Sequence, residues 1–143
     1  MVATKETRVV WKGDMSFEST GRKRARVTMD ATADFGGHDE GFSPMELLLV
    51  ALAGCTAMDV ISILKKKRQD VVDFEIVTRG VRADEHPRIY TEIEIEFIVR
   101  GRNVDPQAVA RAIELSATKY CPISNMLNRA AKLTTRYRVE EAM

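Results

Sequence analysis

At 143 residues, 45% hydrophobic and 30% charged, the chain is long enough for one domain with a single core and too apolar to remain disordered. Its 22 basic and 21 acidic residues leave a formal charge of +1, which gives no electrostatic reason to expect a nucleic-acid or membrane partner. Two cysteines are too few for a disulfide framework, and the start MVATKETRVVW lacks a secretory pattern. The protein is therefore expected to be cytoplasmic, with thiols that are free, catalytic or redox-active rather than permanently bridged.

From Thr7 to Met29, apolar residues Val9, Trp11, Phe17, Val27 and Met29 alternate with polar ones, and Gly13 and Gly21 punctuate them. This predicts short antiparallel strands joined by turns. DFGGHDEGFSP follows as a loop. In SPMELLLVALAGCTAMDVISILKKKRQD, Ser43 stands as an N-cap, Pro44 as the first helical residue, and Glu46 where its carboxylate closes a capping box. The run Leu47 to Leu64 is apolar almost all round, interrupted by Thr56, Asp59 and Ser62, and it ends in four cations that suit a helix C-terminus. Asp59 within the run and polar strands on both sides favour a helix buried by protein over a membrane span.

VVDFEIVTRG and IYTEIEIEFIVRG alternate around ADEHP, predicting a long hairpin. Asp105 and Pro106 repeat the helix-start signature, with helical spacing to about Lys119. Cys121 and Pro122 open a short third helix, and KLTTRYRVE alternates as a closing strand. The whole predicts an α+β fold over residues 1–143, one domain, with helices covering one face of antiparallel sheet.

Cys121 before Pro122 takes an N-cap position, where free N–H groups and the helix dipole favour a thiolate, with Lys119 close in sequence. Cys55 sits about three turns into the apolar helix, where burial raises a thiol pKa unless a cation assists. Free cysteine is also among the most often buried residues, so composition leaves open that both are packing residues.

SPMELLLVALAGCTAMDVISILKK together with YCPISNMLNRAAKL resembles the OsmC/Ohr family, named for osmotically inducible protein C and organic hydroperoxide resistance protein. The resemblance rests on a proline eleven residues before a helical cysteine and a later Cys-Pro-x-Ser-Asn, and it extends over nearly the whole chain. It is to the less characterised branch of that family. What it implies is an intertwined homodimer, with sheets wrapped around long central helices and active sites at the interface. It further implies thiol-dependent reduction of organic hydroperoxides. Cys55 then matches the peroxidatic thiol, Cys121 matches the resolving thiol, and a dithiol reductant, lipoyl groups in the family, regenerates the pair. No metal or organic cofactor is expected.

Peroxidase members carry a glutamate directly after the helix-starting proline, which holds an arginine against the thiolate; here that position is Met45. Glu46, one residue on, is the candidate catalytic carboxylate as well as the capping-box residue. Lys12, at about the place of the family's arginine, and Arg22, Arg24 and Arg26 of a later turn are the candidates for the activating cation. The alternative reading is a dimer of the same fold that binds a small apolar ligand or senses redox state without fast turnover. His38 is a candidate base for Cys55, or a metal ligand with Asp34, Asp39 and Glu40, set against a solvated loop residue. His86 reads as a turn residue, the basic stretch at residues 21–26 as a solvated strand end, and Asp59 as a buried carboxylate in need of a partner.

Overall fold

The computed structural model describes residues 4–143, which form two compact units meeting at Leu48 and Leu49. The first unit holds β1 (Val9–Gly13), β2 (Ser16–Thr20) and β3 (Arg26–Met29), an antiparallel sheet in that order. Gly13 and Asp14 take positive φ in the first turn, and the Trp11 indole N–H closes it by donating to the Asp14 carbonyl at 2.8 Å. The loop from residue 30 to residue 43 is built around a buried carboxylate. Asp30 accepts from the backbone N–H groups of Ala31, His38 and Glu40 at 2.7, 3.2 and 3.3 Å. Burial alone raises this carboxyl, but the three donors outweigh it and hold Asp30 below the usual carboxylate range.

The helix α1 (Pro44–Lys66) starts in the first unit and runs on through the second. Its capping box forms: the Glu46 N–H donates to Ser43 Oγ at 3.1 Å, and the Ser43 N–H donates to Glu46 Oε1 at 2.9 Å. The helix closes where Arg68 turns left-handed and the Gln69 N–H reaches back to the Leu64 carbonyl.

The second unit continues with the long hairpin β4 (Asp70–Arg82) and β5 (Tyr90–Arg102), then α2 (Pro106–Leu115), α3 (Pro122–Leu127) and β6 (Lys132–Glu141). β5 is the central strand. Its inward residues Ile93, Ile95, Phe97 and Val99 are fully buried, and Phe97 lies between Ile76 of β4 and Tyr137 of β6 in register. The amphipathic α2 turns Ala108, Val109, Ala112 and Ile113 inward. Phe97→Ala is expected to cost about 3–5 kcal/mol in chemical denaturation, and Phe97→Leu less than about 1.5 kcal/mol, because only the first opens a large cavity.

One expectation is corrected. This sheet is not purely antiparallel, since β6 pairs with β5 in parallel. The two helices between them carry the chain back to the starting end of β5, a crossover that only a parallel return allows. On the opposite face of β5, Glu96 is nearly buried and meets Arg79, Arg136 and Arg138 at 3.1, 3.4 and 3.2 Å. Those arginines, the Arg79 hydrogen bond first, keep its carboxyl below the usual range.

Candidate functional site

The second unit brings the two cysteines together. Cys121 is wholly buried and caps α3: the Ser124 N–H donates to its Sγ at 3.3 Å. Its thiol points at Cys55, half-buried on α1, with the sulfurs 3.0 Å apart. The two thiols share a hydrogen bond and are not bridged.

The predicted second helix stops at Leu115, four residues short of expectation. From Ser116 to Tyr120 the chain widens into one π turn, in which the Cys121 N–H reaches the Ser116 carbonyl at 2.8 Å. The Ser116 side chain, also buried, donates to Asp59 Oδ2 at 2.8 Å and shares a 2.8 Å hydrogen bond with buried Thr56. Asp59 thus finds a hydroxyl partner in its own unit. Asn125 secures the far side, donating to the carbonyls of Ala117 and Cys121.

The Cys55 thiol is pushed up to about 11, chiefly by burial, then by the hydrogen bond it shares with Cys121, with the charge of Asp59 adding to the shift. The Ile123 N–H works in the opposite direction. None of the groups acting most strongly on this sulfur is a cation. At pH 7 a thiol of that pKa is thiolate in about one molecule in 10⁴. Iodoacetamide labelling of Cys55, followed by peptide mass, is expected to quicken about tenfold per pH unit up to about pH 10. A plateau near pH 8 instead means that a cation reaches the sulfur. The folded state holds this proton more tightly than the unfolded chain, whose thiols titrate near about 8.5. The matching stability is therefore complete below that pH and is lost as pH rises toward 11.

Each of the other candidates has its own local setting. The Glu46 carboxylate is committed to the start of α1, and the Ser43 hydrogen bonds hold it below the usual range. Met45 is half-buried beside it. Lys12 is exposed on β1, and Arg22 and Arg24 lie exposed in a 3₁₀ turn before β3. His38 pairs with Asp14 at 2.9 Å on the surface, a contact that raises its pKa. His86 sits in the turn between β4 and β5, and Lys119 stacks over the Tyr120 ring at 5.2 Å. Among the described residues, no group of three or more His, Cys, Asp or Glu side chains is close enough to hold a metal ion. Ser116 and the π turn escape the sequence reading, although polar Thr56 and Asp59 in an apolar helix are the trace they leave there.

The family of OsmC-like proteins matches residues 37–136, a span that includes both thiols. The chain belongs to the OsmC-like family. Over 137 residues it is 42% identical to Protein YhfA of Escherichia coli K12, covering 96% of this chain and 99% of that one. A hypothetical protein of Aquifex aeolicus VF5, at 34% identity, superposes with a TM-score of 0.87 over 99% of this chain and 100% of that one. The organic hydroperoxide resistance protein OhrB of Bacillus subtilis, 15% identical, has the same fold, with a TM-score of 0.65 over 95% of this chain and 100% of that one. Membership of the OsmC-like family links the chain to redox and peroxide-stress roles.

Proposed function

We propose that this OsmC-like protein is a homodimeric, thiol-dependent reductase of organic hydroperoxides. The observation that carries the reading is the 3.0 Å approach of Cys55 and Cys121, two thiols from segments 66 residues apart. The Cys55 sulfur attacks the outer peroxide oxygen, the O–O bond breaks, the alcohol leaves and a sulfenic acid remains. Cys121 then attacks that sulfur, water leaves and the disulfide forms. A dithiol of the lipoyl type returns two electrons and two protons to the pair. Cys55 must lose its proton for the first step, so an activating cation is part of the proposal, with Lys12, Arg22, Arg24 and Arg26 as its candidates.

The dimer is supported by what each unit leaves uncovered. Along α1, only Leu52, Thr56, Val60 and Leu64 are buried, a single narrow stripe on a helix that is apolar almost all round. By length and composition this helix could also cross a membrane. A second copy of the chain would cover its remaining apolar faces.

A second reading is favoured by Met45 and by the raised Cys55 pKa. It is a dimer that binds a small apolar ligand or senses redox state and reacts with peroxide no faster than an ordinary thiol. One equivalent of cumene hydroperoxide, followed by intact mass and free-thiol counts within seconds, separates the two. Loss of both thiols with a mass lower by two hydrogens supports the reductase. Thiols that survive for minutes overturn it in favour of the second reading.

A further inference from the structure

Ser116 is joined to both cysteine-bearing segments at once. Its hydroxyl grips α1 through Thr56, the residue after Cys55, and through Asp59 one turn farther along. Its carbonyl takes the N–H of Cys121 across the π turn. In an uninterrupted α-helix the N–H of residue 120 would take that carbonyl, and Cys121 would lie about 100° farther round. The wider turn stacks Cys121 over Ser116, on the side facing α1. Two side-chain hydrogen bonds of 2.8 Å, from a serine with no exposed surface, therefore set where the second thiol stands relative to the first.

We infer that Ser116, Thr56 and Asp59 are positioning residues for the thiol pair, holding the π turn against α1 at the register in which Cys121 faces Cys55. This rests on the redox-pair reading above. Without the hydroxyl bridge, the π turn loses its hold on α1 and Asp59 loses its Ser116 donor. Closing the disulfide must then first restore the approach of the two sulfurs.

The test uses full-length protein in glutathione buffers of graded ratio. There Cys55 and Cys121 pass two electrons and two protons to glutathione disulfide, which leaves as two glutathione thiols. After acid quenching and thiol labelling, intact mass reports the disulfide fraction. Thr56→Val and Ser116→Ala are expected to shift the equilibrium toward the dithiol by about tenfold, which is about 30 mV. Thr56→Ser, which keeps the hydroxyl, is expected to match the wild type. General loss of stability moves the unfolding midpoint but not the poise of folded protein, so rescue by Thr56→Ser separates positioning from packing. Should Ser116→Ala not fold, the two Thr56 variants decide alone. Equal poise in Thr56→Val and Thr56→Ser, in a wild type that does close its disulfide, overturns the positioning role and leaves the redox pair standing. A wild type that closes no disulfide at any ratio overturns both.

Discussion

Cys55→Ser is expected to abolish peroxide-driven oxidation: cumene hydroperoxide is consumed at the protein-free rate and Cys121 stays reduced. The hydroxyl that replaces the thiol is a far weaker nucleophile toward an O–O bond, and buried Cys121 is enclosed among its own helix and α1. Cys121→Ser is expected to behave differently. Cys55 still reacts once, but with no thiol 3.0 Å away the sulfenic acid persists, and dimedone traps it as a single adduct. The two variants assign order as well as need, since the residue whose loss stops the first step is the nucleophile and the residue whose loss stops only the second is the resolver. Peroxide consumption in Cys55→Ser equal to that of the wild type would falsify the assignment. The pH dependence adds a constraint. With the Cys55 thiol pushed up to about 11, the wild-type rate should climb steeply between pH 7 and pH 10 unless a cation is supplied, whereas an activated thiolate gives a flat profile there.

Local chemistry was legible, and contacts across the fold were not. Ser43 with Glu46, Asp105 with Pro106 and Cys121 with Pro122 each mark a helix start, because a cap depends on residues within one turn. The alternation of Ile93, Ile95, Phe97 and Val99 names the buried face of β5 for the same reason. The parallel pairing of β6 has no local signature: the same alternating pattern serves either direction, and only the path of α2 and α3 decides. SATKY contains no helix breaker, so the spacing carries the predicted helix on to Lys119. The widening begins at Ser116, whose side chain hydrogen-bonds to Thr56 and Asp59, about 60 residues earlier. The meeting of the thiols was foreseen only through family resemblance, since nothing near Cys55 in the sequence names its partner. The capping role of Glu46 is the legible part of its reading, since its carboxylate accepts from the Ser43 N–H within the same turn.

Met58→Glu is expected to convert a dimer into a monomer. Met58 is 73% exposed within its own chain, on the same helix as Val50 at 45%. If the chain works alone, a glutamate at Met58 is an ordinary surface change worth less than about 0.5 kcal/mol. If a second copy covers this face of α1, the same substitution buries an unpaired carboxylate in an apolar interface, and symmetry inserts it twice. At about 3 kcal/mol per copy, association weakens by about four powers of ten. Sedimentation at micromolar concentration then reports a single chain for the variant and twice that mass for the wild type. Met58→Leu keeps the apolar contact and is expected to remain dimeric, which ties the loss to charge rather than to shape. A wild type that sediments as one chain, with Met58→Glu unchanged from it, removes the dimer from the proposed function. The uncovered apolar faces of α1 would then need some other occupant, of which the small apolar ligand of the second reading is the first to test.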